Sequence, residues 1–101
     1  MTGVTEIRGD ITAVSNAVPC VVTSTSHGLS NGDHVKITEC GGMENFNNRV
    51  YRVDKVTTNT FELTHPDTRE NFDSTDLETY TSGGRWNKVN RVNTDRVFYN
   101  A

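Results

Sequence analysis

Apolar and polar residues alternate in short runs along this chain, and glycine, asparagine and proline cut the runs at close intervals. Over residues 33–39, Val35 and Ile37 fall on one side of a strand, and His34, Lys36 and Thr38 on the other. That is the two-residue period of a half-buried β-strand. Residues 50–57 repeat it with Tyr51 and Val53, and residues 60–64 with Phe61 and Leu63. Thr58-Asn59 between them is a two-residue turn signal, so these segments predict a hairpin. Val35, Ile37, Tyr51, Val53, Phe61 and Leu63 form the predicted core.

Extended structure is also predicted over 4–14, with a bend at Gly9-Asp10, and over 19–25, with Pro19 setting the start. A last strand runs from Tyr80 to Trp86, broken at Gly83-Gly84, and Val89, Val92 and Val97 carry an extended pattern on to Tyr99. Gly28 and Gly32 punctuate turns, and Leu29 is placed to fold back beneath that loop as a plug. Gly41-Gly42 ends the strand before it, and Met43 and Phe46 then anchor a loop otherwise made of Glu and Asn. Residues 65–78 are the most acidic and least periodic stretch, a long excursion with room for one short helical turn. The predicted fold class is all-β: about six short strands closing into a small barrel, with extended N- and C-terminal arms. Closure is expected because it removes exposed strand edges.

Composition sharpens this picture. The 101 residues suit one domain, and a 33% apolar share with a mean hydropathy of -0.62 implies a thin core under a polar exterior. The net charge of -3 argues against a chain-wide basic footprint for nucleic acid. It is unevenly spread. Arg85, Lys88, Arg91 and Arg96 against Asp95 give residues 85–101 a balance of +3, leaving -6 for residues 1–84. An acidic body with a basic tail can dock tail to body between like subunits. The sequence shows no signal peptide, lipidation motif or apolar run of membrane-spanning length, so a soluble protein made in a reducing cytoplasm is expected.

Candidate chemistry is sparse. Cys20 and Cys40 have no metal or redox spacing, and would pair only if neighbouring strands brought them together. His27, His34 and His65 lack further ligands at zinc spacing, and His27 reads as a loop residue bonding its own turn. Asp67, Glu70, Asp73, Asp76 and Glu78 lack the glycine-centred order of a calcium loop and read as solvated, with cation binding the lesser alternative. The paired glycines lack the spacing of a phosphate cradle. Trp86, Phe98 and Tyr99 lie among Arg85, Lys88, Arg91 and Arg96, the composition of a protein-contact hot spot. Single-strand nucleic-acid binding is the competing use of the same residues.

A set of short strings carries a family resemblance: Ile11-Thr-Ala-Val14, Val21-Val-Thr23, His27-Gly-Leu29, Gly32-Asp-His-Val-Lys-Ile37, Gly42-Met43, Asn47, Tyr51-Arg-Val53, Thr60-Phe-Glu-Leu63 and the closing Tyr80-Thr-Ser-Gly-Gly84. Together they resemble a module of bacteriophage virion proteins that is related to the first catalytic cysteine half-domain (FCCH) of ubiquitin-activating enzyme. The resemblance implies a six-stranded barrel used as a building block. In the enzyme the reactive cysteine belongs to the other half-domain, so the resemblance places no catalytic role on Cys20 or Cys40.

The expectation is therefore an FCCH-like barrel over residues 1–86 and an extended arm over 87–101. The expected function is that of a non-enzymatic structural subunit of a virion, a tail or connector component or a capsid decoration protein. Its expected partners are other virion proteins and copies of itself, with no cofactor, metal, nucleic acid, membrane or small-molecule substrate. The expected contacts are Trp86, Arg91, Phe98 and Tyr99 on the arm, and Met43 and Phe46 at a loop tip; the other reading of that last pair is a cap on the barrel mouth. The alternative function is a carbohydrate- or host-receptor-binding module, which requires an exposed aromatic platform from Trp86 or Tyr80.

Overall fold

The computed structural model describes residues 7–89. Seven antiparallel strands form one sheet: β1 (Arg8–Asp10), β2 (Ala13–Val14), β3 (Val21–Thr23), β4 (His34–Gly41), β5 (Arg49–Asp54), β6 (Thr60–Thr64) and β7 (Ser82–Val89). The order across the sheet is β1-β7-β4-β5-β6-β3-β2. The all-β expectation thus holds. The outermost strands in this order, β1 and β2, are consecutive in the chain and separated only by Ile11 and Thr12. Three peptide units span at most about 11 Å, so the two edges of the sheet meet at this one segment. Backbone bonds there reach both ways: Ile11 N–H to Gly84 O at 3.0 Å, and Thr12 N–H to Thr23 O at 2.9 Å.

The alternation of β4, β5 and β6 turns their apolar residues inward. Val35, Ile37, Tyr51, Val53, Phe61 and Leu63 are all buried, as their period predicts. Leu29 is buried beneath its loop. The two long strands β4 and β7 keep one register from His34↔Val89 to Gly41↔Ser82, with one rung missing, where Glu39 would face Gly84. Both residues have positive φ, +65° and +100°. The kink shifts the inward phase, so that Cys40 is buried as well as Ile37. It also presents the Gly84 carbonyl to Ile11. A Cβ on Gly84 would stand 2.5 Å from Cys40 Sγ, which reserves the position for glycine.

Several expected boundaries move. The β5–β6 connection occupies residues 55–59 rather than two residues, because Lys55 already leaves the strand at φ +45° and Thr57 takes over the turn. Its N–H donates to Thr60 O at 2.8 Å, and its Oγ1 accepts from the Thr60 N–H at 3.0 Å. The last strand runs past Trp86 to Val89, so the first residues of the expected arm belong to the sheet. The short helical turn lies at Glu44–Phe46, not within 65–78.

Candidate functional site

The interior is filled from three directions. At the seam, the Trp86 indole lies under β1, and its Nε1–H donates to Ser24 Oγ at 2.9 Å. Ser24 Oγ in turn donates to Asp10 O at 2.6 Å, so one buried hydroxyl ties β7 to β1. At one end of the sheet, Phe46 stacks on Tyr51 at 5.1 Å, and Phe72 packs edge-on against Tyr51 at 4.9 Å. The Tyr51 hydroxyl donates to Phe46 O at 2.9 Å. Elsewhere, His27 Nδ1 accepts the Leu29 N–H at 2.9 Å; the ring hydrogen therefore sits on Nε2 and is donated to Thr60 O at 2.9 Å. His27 bonds its own turn, as the sequence suggests, and also locks that turn to β6.

Cys20 and Cys40 are free thiols in the core. Burial pushes each from 9.0 up to about 11; a hydrogen bond from Ser74 opposes this at Cys20, and the neighbouring Cys20 adds to it at Cys40. Both stay protonated at neutral pH, in settings that do not make a nucleophile. Among the described residues no three His, Cys, Asp or Glu side chains gather at metal-binding distance, and no helix is long and apolar enough to cross a membrane.

The acidic stretch keeps its carboxylates exposed, in keeping with the solvated reading, but its backbone is pinned. Phe72 and Ser74 turn inward between exposed neighbours and are buried. Ser74 Oγ donates to Ser15 O at 2.7 Å and accepts from the Ala17 N–H at 3.0 Å. Asn16 Nδ2 donates to Ser74 O at 2.9 Å and to Leu77 O at 3.2 Å. Phe72 bonds Leu63 and Cys20 through its backbone, both at 3.0 Å. The connection is pinned across one end of the sheet with Asp67, Glu70, Asp73, Asp76 and Glu78 facing out. Two bonds from Thr75, through its side chain and its backbone, hold the Asp73 carboxyl below its usual range.

On the side wall, Arg8, Gly9, Asp10 and Arg85 line a groove between β1 and β7. Arg8 faces Asn87, and Asn87 faces Lys36, so a row crosses three strands. Two cations of the predicted basic tail are engaged within the chain: Arg85 lies 3.8 Å from Glu39, and Lys88 3.6 Å from Asp33. The Arg85 pair is exposed and the Lys88 pair half-buried at Asp33, and such surface pairs are individually weak.

Three of the expected contact residues are interior. Trp86, Met43 and Phe46 are each 1% exposed or less. Trp86 occupies the inward phase of β7, with Arg85 and Asn87 outward, while Met43 and Phe46 cap the sheet end beside Tyr51. Arg91, Phe98 and Tyr99 lie outside the described residues. The groove, Ser74 and Asn16 were not singled out from the sequence. The signal for the groove was a small residue between opposite charges, Arg8-Gly9-Asp10, and for Ser74 the alternation Phe72, Ser74 against Asp73, Thr75.

No curated protein sequence matches the chain. The family model described as the ubiquitin-activating enzyme E1 FCCH domain matches residues 14–90. The matched stretch takes in the strands from β3 to β7, the His27 turn and the capped end, and it spans well over half of the sequence. The chain belongs to the ubiquitin-activating enzyme E1 FCCH domain family.

Proposed function

We propose that this protein is a structural subunit of a bacteriophage virion, a tail or connector component or a capsid decoration protein, working through contacts with other virion proteins. The observation that carries this reading is the division between inside and outside. The interior is occupied by packed apolar side chains, two protonated thiols and the hydrogen-bonded His27 and Tyr51, while among the described residues no Asp, Glu, Lys or Arg is buried. A rigid shell that presents charge outward suits a spacer repeated on a symmetric lattice, where many weak contacts sum to firm attachment. The resemblance of the His27-Gly-Leu29 and Gly32-Asp33 strings to virion modules supports the same reading.

Immunogold labelling of purified particles with antibody to this protein tests the proposal. Regular labelling at one particle position is expected; particles free of the protein by both labelling and mass spectrometry would overturn it. The carbohydrate-binding alternative loses one of its two rings here and keeps Tyr80, which is half-buried. Trp86 is in the core, and the Tyr80 hydroxyl is directed at Gly83 O at 2.7 Å and Ile11 O at 3.3 Å.

A further inference from the structure

We propose that Asn31 is a self-modification site: the Asn31–Gly32 peptide rearranges through a succinimide to aspartate and isoaspartate, and the fold holds both reacting groups back until their turn opens. The inference goes beyond the structural-subunit reading and does not depend on where the protein resides.

Asn31-Gly32 is the single Asn-Gly pair in the sequence. Its reaction needs no reagent other than water. The Gly32 nitrogen gives up its proton and attacks Cγ of the Asn31 side chain. A new C–N bond closes the succinimide ring, and the side-chain amide leaves as ammonia, taking up that proton. Water then opens the ring at either carbonyl. One opening gives aspartate; the other gives isoaspartate, in which the main chain runs through the former side chain and is one carbon longer. A glycine after the asparagine favours closure, because no side chain obstructs the approach of its nitrogen.

The structure exposes this pair to water and then engages both reactants. Ser30 to Asp33 form a turn closed by Asp33 N–H to Ser30 O at 3.0 Å, with Asn31 exposed upon it. Gly32 follows at φ +92°, in the left-handed region. Its nitrogen, the nucleophile, donates its hydrogen to Val53 O at 2.8 Å. Asn31 Oδ1, on the carbon to be attacked, accepts the Val56 N–H at 3.0 Å. The two reacting groups are thus tied to different residues and cannot rotate toward each other while both bonds last. Asp33 fastens the turn further. Its Oδ2 accepts the Ser30 N–H at 2.9 Å and lies 3.6 Å from Lys88 Nζ on β7.

Either product changes the turn that made it. Aspartate places a second carboxylate two residues from Asp33. Isoaspartate lengthens the main chain beside Gly32 and disturbs its bond to Val53. The step is irreversible, so each opening that leads to reaction loosens the link between this turn and β5 in one direction.

Incubation of the purified full chain in mildly alkaline buffer, with and without denaturing guanidinium, tests this. Peptide mapping by mass spectrometry with electron-transfer fragmentation reads aspartate and isoaspartate at each asparagine. In the denatured chain residue 31 should convert ahead of every other asparagine. In the folded protein it should convert slower by about tenfold or more, because local openings occupy a minor fraction of molecules. Asp33→Ala removes the acceptor for Ser30 and the partner of Lys88. It should speed the folded-state reaction several-fold and leave the denatured rate unchanged. Where Asp33→Ala lowers the melting temperature, Lys88→Gln, which removes the ion pair alone, replaces it with a smaller acceleration expected. Asn31→Gln, whose longer side chain must close a larger ring, should stay unmodified at that position.

No conversion at residue 31 in the denatured chain overturns the site. Equal rates in the folded and denatured chain overturn its control by the turn, as does a folded-state rate that neither Asp33→Ala nor Lys88→Gln alters.

Discussion

Gly9 lies directly over the indole of Trp86: a Cβ on Gly9 would stand 2.7 Å from Nε1 and 2.8 Å from two ring carbons. The ring has no room to yield, since it is buried and held by Ser24. Gly9→Ala should therefore destabilise the protein by about 1–3 kcal/mol, the usual range for overpacking. A urea melt reads this directly, and an unchanged midpoint would show that β1 sits less tightly on the core.

Ser24 is the second element of that seam. Ser24→Ala removes the acceptor for the Trp86 N–H and the donor to Asp10 O together. A buried donor left without a partner costs about 1–3 kcal/mol. The loss should appear in amide exchange first at Arg8–Val14, because this hydroxyl is what joins that segment to β7. Uniform loss of protection over all strands would argue against a local role.

The acidic connection should depend on Ser74. Ser74→Ala deletes bonds to Ser15 and Ala17 in the interior, again at a cost of about 1–3 kcal/mol. Limited proteolysis should then cut within residues 65–80 while the strands persist. Resistance equal to that of the parent would mean Phe72 alone anchors the segment.

Stability should fall in alkali. Above about pH 9 the unfolded chain sheds thiol protons that the folded chain keeps until about pH 11. The stabilisation is whole below pH 9 and drains as pH rises through that window, by about 1 kcal/mol per thiol at about pH 10. Burial also raises the Tyr51 hydroxyl, which acts in the same direction. Unfolding free energies at about pH 8 and about pH 10 check this. Cys20→Ala with Cys40→Ala should keep only the share of the Tyr51 and Tyr80 hydroxyls, both raised by burial; an unaltered slope would refute the assignment.

Much of this architecture was legible where one strand face is buried. Val35 with Ile37, and Phe61 with Leu63, sit at a spacing that admits few other readings. Trp86 was harder: Gly83-Gly84 hides the phase of β7, and flanking Arg85 and Lys88 make the ring look like part of a basic surface. Met43 and Phe46 stand among Glu44, Asn45 and Asn47, so a short sequence window leaves a loop tip and a cap both open, and the fold builds the cap. What sends them inward is Tyr51 and Phe72, neighbours in space and remote in the chain. The same distance hides the anchoring of Ser74 by Ser15–Ala17, because local patterning carries no record of which turn a loop will cross.

The segment Arg8–Val14 grips β7 with one part and β3 with the other. During translation it emerges before its longer partner, so β1 stays without that partner until Val89 exists. A chain interrupted before Ser82 would present bare edges on both β1 and β4, each a template for pairing with another molecule. Premature stops before Ser82 should therefore yield inclusion bodies, whereas a chain that includes β7 covers both edges.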